Sequence, residues 1–225
     1  MEKIGEKTIS SEEYLRSPAT ASSLPFWKAE HIVVPDSMRI LRNDEFEREA
    51  FNDCEDEPYF KLVHRLKCPK RPALPAGYRL SSASYEEFSE HITACYGGGP
   101  SADELRDYEK HSAFDPDLWL AVRDEEGRVA ASGIAEIDSR IGEGVLEWIQ
   151  VSKAHRRRGL GEFLVRELLW RMREKASFVT VSGEIGNPSD PLALYLRCGF
   201  SEKTVWHVLK KSRANDPIPM RRDQL

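Results

Sequence analysis

The sequence predicts an α/β protein of the α+β type, a mixed sheet covered by helices. Three observations carry this. Short apolar and β-branched runs, bounded by glycine, proline or acidic turns, recur through residues 76–211. They alternate with helical stripes in the order strand, two helices, a run of strands, helix, strand, helix, strand, as expected for helices packed on a sheet. With 225 residues, 40% hydrophobic and 32% charged, the chain has room for one full core and a smaller appended unit.

In the first part, residues 31–41 read as two short strands around the Pro35-Asp36-Ser37 turn, 44–51 as a helix and 57–63 as a third strand. The acidic run 52–57 reads as a solvated loop. Three prolines, Pro69, Pro72 and Pro75, then fall within seven residues. Proline fixes φ and extends its predecessor, so this stretch reads as a semi-rigid linker. The expected division is therefore a small N-terminal extension with its linker (1–75), a main domain (76–211) and a polar, loose tail (212–225).

Within the main domain, residues 78–80 form a short strand candidate. Ser84 caps a helix to about Cys95, with Glu87 completing a capping box, and Gly97-Gly98-Gly99-Pro100 ends it. Ser101 opens a second helix to about Ala113. Strands at 119–123 and 128–137 are joined by an acidic hairpin turn ending in Gly127, and a further strand spans 145–151. The clearest helix follows Gly161, with Leu164, Val165, Leu168, Leu169 and Met172 as its apolar stripe. Glu162/Arg166 and Glu167/Arg171 are supportive i,i+4 pairs expected on its outside. Residues 178–182 form a strand, Asp190 and Pro191 start a helix that Gly199 ends, and 205–209 form the last strand.

Strand 145–151 runs into Arg156-Arg157-Arg158-Gly159-Leu160-Gly161 and at once into the amphipathic helix. A helix start offers unpaired N–H groups and the positive end of its dipole, and glycine lets a ligand approach the main chain, so this order suits a diphosphate. It lacks the Gly-Lys-Ser/Thr of a P-loop, and Leu164 stands where a dinucleotide fingerprint needs its third glycine. The formal charge of −5 argues against a nucleic-acid binder. No eighteen-residue apolar run exists, the first residues do not read as a signal peptide, and the four cysteines form no CxxC pair. The expectation is a cytoplasmic protein with reduced thiols, no metal and no membrane partner.

These motifs resemble the GNAT superfamily of acetyl-CoA-dependent N-acetyltransferases. The arginine-glycine turn fits its Arg/Gln-x-x-Gly-x-Gly/Ala signature between a strand and a helix. Asn187, followed by Tyr195 and then Gly199-Phe200, fits its second landmark, with an Asn-to-Tyr gap one residue longer than usual. The resemblance covers 76–211. Residues 22–28 are similar to an extension in a bacterial subgroup of the family.

The resemblance implies a GNAT-like, mostly antiparallel sheet and acetyl-CoA as cosubstrate, without a metal. The backbone of Ile149, Gln150 and Val151 is expected to pair with the pantetheine arm, and the amides of Arg157, Arg158, Gly159, Leu160, Gly161 and Glu162 to hold the pyrophosphate. Asn187 is expected at the pantetheine or a bound water. Arg156, Arg157 and Arg158 assist the 3′-phosphate or raise the local potential. β-Branched Ile149 and Val151 favour the extended backbone this needs.

Acetyl transfer to nitrogen needs a neutral amine. A lysine-like amine titrates near ~10.4, so freeing it at neutral pH costs roughly 4–5 kcal/mol. Strand alternation puts Glu147 on one face with Ile149 and Val151; the family often stations its general base on this strand, so Glu147 is the first candidate. Glu136, Asp138 and Glu143 are alternatives by the same resemblance. Tyr195 matches the position of the general acid for the departing thiolate. Cys198 and the histidines read as packing or surface residues. The expectation is direct attack by a primary amine of a small molecule or peptide, with a homodimer left open. The rival readings are another acyl-CoA, or a non-catalytic coenzyme-A-binding sensor or subunit.

Overall fold

The structure is a computed structural model in which residues 9–31 and 33–211 are described. Along the chain run α1 (Ser11–Arg16), α2 (Pro18–Ala21), α3 (Phe26–Ala29), β1 (Met38–Arg42), β2 (Cys54–His64), β3 (Arg79–Ser81), α4 (Tyr85–Tyr96) and α5 (Ala102–Asp107). Then come β4 (Trp119–Arg123), β5 (Val129–Asp138), β6 (Glu143–Val151), α6 (Leu160–Met172), β7 (Phe178–Glu184), α7 (Pro191–Arg197) and β8 (Ser201–Lys211). The eight strands of the described residues form one sheet in the order β1-β8-β2-β7-β6-β5-β4-β3. Among the described residues only β6 and β7 pair in parallel.

Local chemistry sets the helix limits. Ser84 and Glu87 form the reciprocal capping box expected at α4, and Gly97, at φ +73°, closes that helix. Ser101 and Glu104 cap α5 in the same way, but the α-helix stops at Asp107 and continues only as a 3-10 turn, Tyr108–Lys110. The Asp190 side chain accepts from the Ala193 N–H at the start of α7.

One face of the sheet packs under α6, with Leu164, Leu168 and Met172 against Leu120, Ala135 and Leu146. On the other face Trp119 and Ile134 lie beneath Phe88 and Ile92 of α4 and Leu105 of α5. On α6, Glu162 and Arg166 pair as expected at 2.8 Å. Glu167 does not lie outside: it is 1% exposed. It bonds Arg171 at 3.0 Å and lies 3.6 Å from Arg71 of the proline-rich stretch. That stretch runs along α6, with Arg71 over the Trp170 ring at 4.5 Å.

The boundary at residue 75 does not divide the sheet. β2, from the segment expected as an appended extension, lies between β7 and β8, and β1 pairs with β8 at the edge. Residues 52–57, expected as a solvated loop, are strand from Cys54 onward. Their charges are matched across the ladder: Lys210 holds Glu57 at 2.6 Å, and His207 meets Asp56 at 3.0 Å. The strand expected before Pro35 is absent among the described residues, where Val33 is 71% exposed; β1 finds its only partner in β8. Of the helix expected at 44–51, only a 3-10 turn at Arg48–Phe51 forms, because Asp44 bonds the Arg42 guanidinium instead of capping a helix. The tail expected at 212–225 lies outside the described residues.

The N-terminal helices cross the sheet near the start of β6. Tyr14, Ala19 and Phe26 pack on Val63 and Phe178. Beneath them lies a buried polar network. Glu143, at the start of β6, accepts from the Tyr14 hydroxyl at 2.7 Å, the Phe26 N–H at 2.9 Å and the Thr180 hydroxyl at 2.6 Å. Lys61 Nζ, 1% exposed, donates to the Tyr14 hydroxyl at 3.0 Å and to the Ser22 and Leu24 carbonyls at 2.8 Å each. Burial pulls the Lys61 ammonium down to about 7, with Glu143 opposing the drop.

Candidate active site

The site begins where β6 and β7 part. Their parallel pairs run from Glu143↔Phe178 to Leu146↔Val181 and end there. Beyond that point β6 pairs only with β5, while β7 goes on pairing with β2 to Glu184. A wedge opens between them, and Ile149, Gln150 and Val151 lie along its β6 side. The Tyr96 hydroxyl, at the end of α4, donates to the Ile149 carbonyl at 3.0 Å.

At the mouth of the wedge, Arg157 and Gly159 both take left-handed φ, +60° and +82°. The chain curls there into α6, whose first intrahelical bond is Phe163 N–H to Gly159 carbonyl at 2.9 Å. The N–H groups of Leu160, Gly161 and Glu162 therefore precede any possible intrahelical acceptor. A Cβ on Gly161 would meet Leu194 of α7 at 3.3 Å, so glycine lets the helix start lie close to α7. Leu160 is buried in the core and anchors the turn, while Arg156, Arg157 and Arg158 are exposed. Arg156 turns back to the Val151 carbonyl at 3.3 Å, and Arg158 reaches the Tyr78 hydroxyl at 3.3 Å. Exposed guanidiniums beside free helix amides fit a phosphorylated ligand.

The Gln150 side chain leaves the wedge: it is buried and donates to Ser132 Oγ, whose other neighbour is His91 Nδ1 at 2.8 Å. Asn187 sits in the β7–α7 turn, where its side-chain oxygen accepts from the Ser189 N–H at 2.9 Å and the Ser189 hydroxyl at 2.7 Å. Tyr195, on α7, is 6% exposed, edge-on to Phe60 at 6.2 Å and Phe200 at 5.6 Å. Burial first, then the neighbouring Tyr96, raises its pKa far above the ordinary phenol value, so it stays protonated and can donate. Burial also pushes the Cys198 thiol up to about 11, which leaves almost no thiolate for nucleophilic attack.

Four acids were candidates for the base, and the structure separates them. Asp138 is held by the Arg140 guanidinium at 2.7 Å, which also binds Glu30 at 2.7 Å. Glu143 is saturated by the three donors described above. Glu136 and Glu147 converge. Glu147 does not share a face with Ile149 and Val151: the β5–β6 register passes from Ile134↔Trp148 to Ala135↔Leu146, leaving Glu147 as a bulge. Ile149 packs beside Gly133 toward α6, whereas the bulge turns Glu147 to the opposite face, where Ile134 and Trp148 lie.

On that face Lys28 of α3 joins the two carboxylates, with Nζ 2.6 Å from Glu147 and 3.7 Å from Glu136. Glu136 is fully buried and neither of its side-chain oxygens has a hydrogen-bond partner. Desolvation, and then the charge of Glu147, lift its pKa well above the usual carboxylate range. Burial pulls the Lys28 ammonium down, but Glu147 and Glu136 outweigh this and leave it raised. His111 lies 3.9 Å from Glu136, its pKa lowered by burial and by Lys28. Trp27 packs on the His111 ring at 5.1 Å, and Trp148 meets Tyr96 edge-on at 5.8 Å, linking this pocket to the wedge. The Trp27 and Trp148 indole N–H groups are buried without partners. Sequence reading did not single out Lys28 or Tyr96, because nothing local distinguishes a lysine on a one-turn helix or an aromatic before a glycine run.

Residues 115–202 fit the family model described as the acetyltransferase (GNAT) domain. That stretch of the chain is therefore similar to a GNAT acetyltransferase domain. Structural likeness extends the GNAT fold over most of the chain. It is similar to a GCN5-related N-acetyltransferase from Sphaerobacter thermophilus, with TM-score 0.64 and 16% identity over 80% of this chain and 61% of that one. A GNAT-family acetyltransferase from Colwellia psychrerythraea gives 0.54 and 12%, covering 76% and 64%. A putative GNAT acetyltransferase from Novosphingobium aromaticivorans gives 0.52 and 16%, covering 81% and 71%. At such identities the likeness is one of fold, and the chain spans about three-fifths of the Sphaerobacter protein. No curated protein matches the sequence. Among the described residues no helix is long and apolar enough to cross a membrane.

Proposed function

We propose that this GNAT domain transfers the acetyl group of acetyl-CoA to a primary amine by direct attack. The observation that carries the reading is the meeting, at the bulge of β6, of a wedge for an extended thioester arm with a carboxylate pair for an amine, Glu136 buried and Glu147 half-buried. The main chain of Ile149, Gln150 and Val151 lies along the wedge as a strand edge for the pantetheine arm. The amides from Arg157 to Glu162 hold the pyrophosphate, with Arg156, Arg157 and Arg158 supplying positive potential. Asn187, its side-chain oxygen already taken by Ser189, contributes its amide N–H groups.

On the other face, Glu136 and Glu147 receive the acceptor's ammonium. Burial keeps the proton affinity of Glu136 high, and a base of raised pKa takes an amine proton more readily than an ordinary carboxylate. Tyr195 stays protonated and donates toward the departing sulfur. Trp27, Trp148 and Tyr108 give the pocket an aromatic wall, and the unpartnered indole N–H groups of the two tryptophans suit an acceptor that carries oxygen atoms near its amine.

The test is titration calorimetry with acetyl-CoA, followed by release of free thiol with a panel of primary amines. Heat on binding and amine-dependent thiol release are expected. Absence of heat would overturn the reading. Binding without release by any amine would favour a non-catalytic coenzyme-A-binding subunit.

A further inference from the structure

The acceptor pocket already contains a primary amine. Lys28 Nζ stands 2.6 Å from Glu147 and 3.7 Å from Glu136, the two carboxylates assigned above to an incoming ammonium. The Lys28 side chain is 18% exposed, so the amine is largely enclosed with them. Glu147 itself is the bulge directly after the last β6–β7 pair, where the thioester arm ends on the acetyl-transfer reading.

The tether is rigid. The Phe26 N–H, at the start of the same helix, is bonded to buried Glu143 at 2.9 Å. The neighbouring Trp27 is packed on His111. A nucleophile fixed this way reacts with a high effective concentration. Two other described lysines lack the placement. Lys61 is enclosed by Tyr14 and the Ser22 and Leu24 carbonyls, and Lys110 is 74% exposed beside Asp107.

We propose that Lys28 is an acceptor of the domain's own acetyl group, modified in cis at Nζ. This rests on the acetyl-transfer reading. In the step, Glu147, 2.6 Å away, takes one proton from the ammonium, and neutral Nζ attacks the thioester carbonyl carbon. The C–N bond forms, the C–S bond breaks, and the sulfur leaves with a proton as free coenzyme A. The acetylated nitrogen sheds its remaining excess proton, so one proton in all reaches solvent. The product is a neutral amide on Lys28. Glu136 and Glu147 then lose their counter-ion, and the pocket becomes more acidic toward any further amine.

The experiment incubates the full chain with deuterium-labelled acetyl-CoA at several protein concentrations and follows labelled peptides by mass spectrometry. Three proteins are compared: the parent, Lys28→Arg and Glu147→Gln, each checked for an unchanged thermal unfolding transition. The expected result is label on Lys28 at a rate independent of protein concentration and faster than on exposed Lys110. Lys28→Arg abolishes that label, and Glu147→Gln slows it by about a hundredfold or more, as for loss of a positioned base. Labelling of Lys28 no faster than Lys110, an unchanged rate in Glu147→Gln, or a rate that climbs with protein concentration would overturn the inference. Turnover of an added amine with Lys28 unlabelled would overturn it and leave the acetyl-transfer reading standing. No heat with acetyl-CoA in calorimetry would remove both.

Discussion

Replacing Tyr14 by phenylalanine deletes one oxygen from the network that pins the N-terminal helices to β6. That oxygen donates to Glu143 at 2.7 Å and accepts from Lys61 at 3.0 Å. The ring would keep its contact with Phe26, 5.4 Å between centroids. Neither charged partner is left bare, because Glu143 keeps Phe26 and Thr180 and Lys61 keeps the Ser22 and Leu24 carbonyls. The loss is therefore two hydrogen bonds to charged groups without an orphaned ion, about 3 kcal/mol at the low end of about 1.5–3 each. For a chain of this length each kcal/mol moves Tm by about 2–4 °C, so a drop of roughly 6–12 °C is expected. Thermal unfolding followed by circular dichroism, with urea titration to check an unchanged m value, measures it. Tyr85→Phe is the control: that hydroxyl bonds exposed Glu109, and its loss should cost about 0.5 kcal/mol or less, as for a typical surface change. A Tyr14→Phe transition within about 2 °C of the parent would refute the claim that this network anchors the segment carrying Lys28.

Two further predictions concern the chemistry. Glu136 must be deprotonated to act as base and its pKa is raised by burial and by Glu147. The rate should thus climb with pH through a limb above the ordinary carboxylate value of about 4.3. Glu136→Gln should lower kcat/KM by roughly 10²–10⁴-fold and abolish that limb; a pH profile of unchanged shape would assign the limb elsewhere. Tyr195→Phe should lower kcat while leaving calorimetric affinity for acetyl-CoA nearly unchanged, because the hydroxyl acts on the leaving sulfur; equal turnover would reject its role as acid.

What the sequence made legible was local. The Ser84 capping box, the Asp190–Pro191 helix start and the α6 stripe depend on neighbours a few residues apart, and they formed as read. The glycine turn was legible for the same reason. What escaped depends on distant partners. Glu147 looked like one step in a strand alternation until the register against β5 left it bulged. Glu167 looked solvent-facing until the proline-rich stretch covered it with Arg71. The acidic run at the start of β2 looked like a loop because the His207 and Lys210 that neutralise it lie some 150 positions away, at separations of 151 and 153 residues. Lys28 was silent because only the tertiary fold brings α3 to the pocket.

The insertion of β2 between β7 and β8 has a kinetic consequence. Its hydrogen-bonding edges find partners only in strands made more than a hundred residues later, Tyr59 opposite Glu184 and Trp206. Such pairing carries a large loop-closure entropy and is intrinsically slow. During synthesis the β2 segment must wait, unpaired, until β7 and β8 leave the ribosome. Its early half is studded with Glu55, Asp56 and Glu57, and mutual repulsion of those carboxylates discourages self-association through the interval. Completion of the sheet is thus a late event, joining the first third of the polypeptide to its last.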